Sequence, residues 1–119
     1  PVKEFAPPSS ADLDEIDGLA GQFFITLQSE GAVGTLSHLP PQVQELDGLS
    51  DLFAQVDATC PQFDTFSAGE VKIFSADVVE QSVFTISDNC MVRWRLTFTR
   101  RPDGWKIYSV QIDTVNMWR

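Results

Sequence analysis

Apolar positions along this chain change their period once. From Leu13 to Leu27 they recur at helical spacing, at Leu13, Ile16, Leu19, Ala20, Phe23, Phe24 and Leu27. That spacing predicts one helix with a continuous apolar stripe. Ser9 or Ser10 caps its start, and Asp12, Asp14 and Glu15 sit in the first turn, where acids complement the helix dipole. Gly31 is the natural stop, with a short helical turn expected over 32–37. Gly18 and Gly21 weaken the helix by roughly 1 kcal/mol each relative to alanine, which predicts close packing against another element. Pro40-Pro41 breaks the chain, and Pro41 opens a further helix carrying Val43, Leu46, Leu49, Leu52, Phe53 and Val56, kinked at Gly48 and ended by residues 57–61.

Beyond residue 65 the period becomes two, the strand signal. Strands are expected over 66–74 and 77–86, with a tight turn at Ser87-Asp88-Asn89. Cys90, Val92, Trp94, Leu96 and Phe98 then fall on one face, and Met91, Arg93, Arg95, Thr97 and Thr99 on the other. Pro102, Asp103 and Gly104 carry turn chemistry, so a last strand runs back through residues 105–117. With Arg100 opposite Trp105, an unbroken register puts Phe98 opposite Ile107, Leu96 opposite Ser109, Trp94 opposite Gln111 and Val92 opposite Asp113. Pairing Ser87 with Cys90 places Glu80 and Ser82 on the outer face with Arg95 and predicts a Glu80–Arg95 cross-strand pair. The expectation is an α+β chain: N-terminal helices packed on a strongly curved antiparallel sheet of about four strands. Residues 1–10, with Pro1, Pro7 and Pro8, form an extended arm, and 11–119 form a single domain.

Composition narrows the function classes. The 119 residues suffice for one buried core, and an apolar content of 43% fits a globular chain. No apolar run approaches the ~20 residues that cross a bilayer, so no membrane insertion is expected. A net charge of −9 disfavours duplex nucleic acid and anionic membranes as partners. Residues 1–70 hold twelve acids and one base, Lys3, whereas 71–119 hold five acids and seven bases. Acidic helices above a near-neutral sheet account for this, and an acidic surface that docks a basic partner is the sharper alternative. Cys60 and Cys90 are either one disulfide or two buried thiols, and with no histidine nearby they make no zinc site. A proline-bearing lead-in from Pro1 suggests an exported, periplasmic-type protein whose signal has been removed.

Helices followed by a bent antiparallel sheet resemble the nuclear-transport-factor-2-like, or cystatin-like, cone fold. More specifically, Val92-Arg93-Trp94-Arg95-Leu96-Thr97-Phe98, the Arg101-Pro102-Asp103-Gly104-Trp105 turn and Lys106-Ile107-Tyr108-Ser109-Val110 resemble the last hairpin of small bacterial members, many of them exported and without assigned activity. The resemblance implies a cavity between the helices and the concave sheet. Relatives use it for catalysis or for a small molecule, or fill it and serve as dimerisation or docking modules, so fold does not settle function.

The chemistry of the enzymatic relatives is poorly matched. Ketosteroid isomerases need a helix tyrosine, and the single tyrosine here is Tyr108 in the last strand. Scytalone dehydratases need His–Asp pairs, and the single histidine, His38, falls on a loop before Pro40-Pro41. Limonene-epoxide hydrolases need Asp–Arg–Asp, and the unbroken register puts Arg93 and Arg95 on the other face of the sheet from Asp113. The candidate site is a ligand pocket of Trp94, Leu96, Phe98, Ser109, Gln111 and Asp113; the plainer reading of the same residues makes Trp94 and Phe98 core and leaves Gln111 and Asp113 in solvent where the strand frays. The leading expectation is a non-enzymatic domain that binds a small apolar molecule or forms a homodimer through its sheet, with no cofactor and no metal. The alternative is a pocket enzyme of the isomerase, cyclase or dehydratase kind, with Asp113 as general base.

Overall fold

The computed structural model describes residues 7–60, 63–88 and 90–117, the last four by backbone alone. The expected arm is therefore described only at Pro7 to Ser9, and Asn89 of the expected turn lies outside the described residues. The element order is α1 (Ser10–Leu36), α2 (Pro41–Gln44), α3 (Leu49–Thr59), then β1 (Thr65–Ser75), β2 (Val78–Ser87), β3 (Cys90–Arg101) and β4 (Gly104–Met117). The strands form one antiparallel sheet in the order β1-β2-β3-β4, as expected for an α+β chain. Ser9 and Asp12 close a reciprocal capping box at the start of α1.

Gly31 does not stop α1; it kinks it. Its backbone lies at φ 77°, ψ 178°, and the helix resumes at Ala32. The restarted turn needs partners for its first N–H groups. Asp57 of α3 supplies them: its carboxylate accepts from Ala32 N at 2.6 Å and from Val33 N at 3.0 Å. One side chain thus caps a helix from another helix and fixes the α1–α3 contact. A Cβ at Gly31 would lie 3.1 Å from Asp57 Oδ1, so positive φ and crowding both select glycine. Gly48 separates α2 from α3 outright, at φ 75°, rather than kinking one helix. Gly18 and Gly21 have nothing within 4 Å of a built Cβ, so close packing is not their reason.

The other end of α1 is clamped to the β3–β4 hairpin. The Arg100 guanidinium donates to both oxygens of Asp12, at 3.1 and 2.9 Å, and its Nε donates to Asp77 at 3.0 Å. Trp105 Nε1 donates to Asp12 Oδ1 at 3.1 Å, and Trp105 N donates to Glu15 at 2.8 Å. The Arg100 guanidinium also lies 4.9 Å from the centre of the Trp105 ring. Arg100 first, then the Ser9 backbone and Trp105, hold the Asp12 carboxyl well below the usual carboxylate range. Asp12 in turn raises Arg100 above its ordinary value. Cys60 and Cys90 are joined in a disulfide, tying the end of α3 to the start of β3.

Two predictions follow from these ties. Asp57→Ala should lower the unfolding free energy in urea by about 1–2 kcal/mol, the cost of a lost cap, and Gly31→Ala should cost at least as much. Because the folded Asp12 carboxyl titrates below its unfolded value of 3.8, its stabilisation is complete above that value. It is lost progressively as pH falls from there toward the depressed folded value. Melting curves of the wild type from about pH 5 to about pH 2 should therefore fall more steeply than those of Asp12→Asn.

Candidate functional site

The sheet's inner face is set by β2 and β3. Val79, Gln81, Val83 and Thr85 stand opposite Phe98, Leu96, Trp94 and Val92, and all eight are buried. Trp94 is the centre. Phe23 from α1, Phe53 from α3 and Phe63 present their rings to it at 5.4, 5.5 and 6.5 Å between centroids, all near edge-to-face. Such pairs add about 0.5–1.5 kcal/mol each beyond area burial. Its indole N–H donates to Thr85 Oγ1 at 2.8 Å, so the one polar atom of the ring is satisfied. Trp94, Leu96 and Phe98, expected to line a pocket, are core residues with no exposed surface.

Ser109, Gln111 and Asp113 are not beside them. The hairpin starts in the expected register, with Arg100 opposite Trp105 and Phe98 opposite Ile107. Two bulges then break it. Thr97 pairs with Ser109, leaving Tyr108 extra, and Arg93 pairs with Thr114, leaving Asp113 extra. Leu96 consequently faces Val110 and Trp94 faces Ile112, while Ser109 and Gln111 turn to the outer face with Thr97 and Arg95. Asp113 joins them: its Oδ2 lies 2.7 Å from Arg95 Nε and 3.9 Å from Arg93 Nε. The expected Glu80–Arg95 pair is present at 3.7 Å. Arg93, Arg95 and Asp113 therefore share a face, contrary to the unbroken register, but the face is the outer one and the carboxylate is already held by a guanidinium.

Gln111 and Asp113 do line a groove of about 430 Å³, between the β4 edge and Leu46, Leu49 and Leu52. The Arg95–Asp113 ion pair lies within it beside Asp47, and Leu46 and Leu52 on its wall are 40% and 41% exposed. A cavity of about 130 Å³ between α1, Leu39 and Ile107 has His38 at its rim. His38 is exposed, as expected of a loop histidine, and its Nε2 lies 2.9 Å from the Glu30 carboxylate.

A second opening between helix and sheet lies at the other edge of the sheet. Leu13, Asp14, Ile16 and Asp17 of α1 face Val71 and Ile73 of β1 and Gln81 of β2 around a groove of about 430 Å³. Ile16 and Gln81 are its buried floor. Its walls are not covered: Leu13, Val71 and Ile73 are 36%, 46% and 41% exposed. Phe74, the bulge residue beside Ile73, is 57% exposed. The geometry has a simple origin. α1 reaches the start of β1, where Phe24 packs on Phe66 with ring centroids 5.1 Å apart, but its own start is held toward β3 and β4 by the Asp12 clamp, and the inner face of β1 at Val71 and Ile73 is left bare. Asp14 and Asp17, one helical turn apart, have no ion-pair partner among the described residues. The strand alternation of Val71 and Ile73 and the helical spacing of Leu13 and Ile16 are visible in sequence. That no element covers them is not.

No protein-family model matches the chain, and no curated protein matches it. Among the described residues, no cluster of His, Cys, Asp and Glu is arranged to hold a metal ion, and no helix is long and apolar enough to cross a membrane.

Trp94→Phe should lower the unfolding free energy by about 2–3 kcal/mol in a urea titration, because it leaves a cavity and strips the buried Thr85 hydroxyl of its donor. A ligand platform at this position would leave stability nearly unchanged.

Proposed function

We propose that this chain is a non-enzymatic protein-interaction domain of the cone type, resembling nuclear-transport-factor-2-like proteins whose central cavity is filled. Its binding surface is the α1–β1 groove. The observation that carries this reading is the contrast across the inner face of the sheet. At Trp94 the space between helices and sheet is closed by three phenylalanine rings. At Val71 and Ile73 the same face lies open to solvent. Exposed apolar side chains gathered around one concavity on a small chain are the usual mark of a binding surface.

Two other readings gain less from the structure. A pocket enzyme with Asp113 as general base requires that carboxylate in an apolar cavity, and here Arg95 engages it on the outer face. A homodimer through the outer sheet face would have to bury Arg93, Arg95 and Asp113, whose ion pairs with one another and with the already buried Glu80 serve that face.

The neutral dye Nile red tests the groove. It should bind the native protein and brighten, and the double variant Val71→Ser/Ile73→Ser should lose most of that signal with a nearly unchanged melting temperature, since both side chains are exposed. An equal signal from wild type and variant would remove the groove as the binding surface.

A further inference from the structure

The groove has two properties that an apolar ligand alone does not use. One wall is an edge strand. β1 is first in the sheet order, with β2 on one side and no strand on the other among the described residues. Its outer row of backbone N–H and C=O groups is a template for one more strand. The charges that rim the groove, Asp14 and Asp17, are of one sign. A segment that joins β1 will project every second side chain onto the inner face, over Val71 and Ile73 and toward α1.

Resting on the groove as the binding surface, we infer that its occupant is an extended segment of another protein, added to the β1 edge as a fifth strand. Its inward positions alternate a small aliphatic residue with arginine or lysine. The aliphatic side chains cover Val71, Ile73 and Leu13. The arginine or lysine stems lie over the same apolar strip, and their cationic ends reach the Asp14 and Asp17 carboxylates. Charge decides between candidate occupants. A second copy of this chain would bring another acidic rim, and another net −9, against the first. A purely apolar molecule would leave both carboxylates unused at the mouth of the groove. A cationic strand satisfies the open edge, the apolar walls and the rim together.

The test uses the whole protein and three blocked, fluorescently labelled nonapeptides that differ only at two inward positions: TVTRTVTRT, TVTQTVTQT and TVTETVTET. In anisotropy titrations the arginine peptide should bind saturably and the glutamate peptide should not. Binding should weaken as salt rises and should fall by about fivefold in Asp14→Asn/Asp17→Asn. Amide exchange of residues 71–75 should slow on binding, the signature of new strand pairing. Equal binding of the arginine and glutamine peptides would overturn the cationic partner. Binding of the arginine peptide without protection of the β1 amides would overturn strand addition. If no peptide binds while Nile red still reports the groove, the inference fails and the groove stands. If the dye also ignores Val71 and Ile73, both readings fail.

Discussion

The fold depends on how the space around Trp94 is filled. An indole at the centre of a four-stranded sheet is too large for the sheet to cover by itself, and its N–H cannot be buried without an acceptor. The chain meets both demands with residues far apart in sequence. Phe23, Phe53 and Phe63 close on the ring from α1, α3 and the segment before β1, and Thr85 of the neighbouring strand takes the proton. That packing seats α1 and α3 on the centre of the sheet. It also decides where a binding surface can lie: interior volume occupied by aromatic rings is not available to a ligand, which moves attention to the margins of the sheet.

Apart from Gln28 of α1, whose amide donates to Phe63 O at 3.1 Å, the remaining ties hold the helices at their ends or at the α1 kink. Asp12 and Glu15 fasten the start of α1 to Arg100 and Trp105, and Asp57 caps its restart after Gly31. The Cys60–Cys90 disulfide, with Cα atoms 5.8 Å apart, holds the end of α3 to β3. All of these lie toward β3 and β4 or between helices, and none engages β1. The bare inner face at Val71 and Ile73 is thus a consequence of where the helices are anchored. An apolar edge left bare is a liability for any sheet protein. Asp14 and Asp17 beside it, Lys72 on the strand, and the acidic surplus of the whole chain oppose its pairing with a second copy. Under the proposed strand addition, those same carboxylates would attract a cationic strand, so one arrangement would both oppose self-association and select the partner.

Much of this was legible in the residues. The stripe from Leu13 to Leu27, the capping serine, the switch to period two, the Ser87–Cys90 pairing and the Arg100–Trp105 pairing all depend on local spacing, and the structure keeps them. The candidate site was not legible, for a definite reason. A bulge inserts one residue into one strand, and nothing in the composition around Tyr108 or Asp113 announces it. One extra residue at Tyr108 exchanges the faces of Ser109, Val110, Gln111 and Ile112 together, which converts a supposed pocket wall into an outer surface. The residues named as ligand contacts therefore divide into three core side chains and three outer-face ones.

Gly31 marks a second boundary of local reasoning. A glycine after a helical run reads as a stop, because an αL-type residue there turns the chain so that its own and the following N–H groups donate to the last carbonyls. Whether the helix then restarts depends on a cap for the next N–H groups, and here that cap is a carboxylate twenty-five residues downstream. The same dependence on distant neighbours governs the groove. Leu13 and Ile16 lie on one apolar stripe, yet Ile16 is buried and Leu13 is left at the surface. Val71 and Ile73 alternate as any half-buried strand does, yet no helix reaches them. Sequence periodicity says which side chains share a face. The anchoring of α1 at Asp12 determines which part of that face is covered and which part is left open.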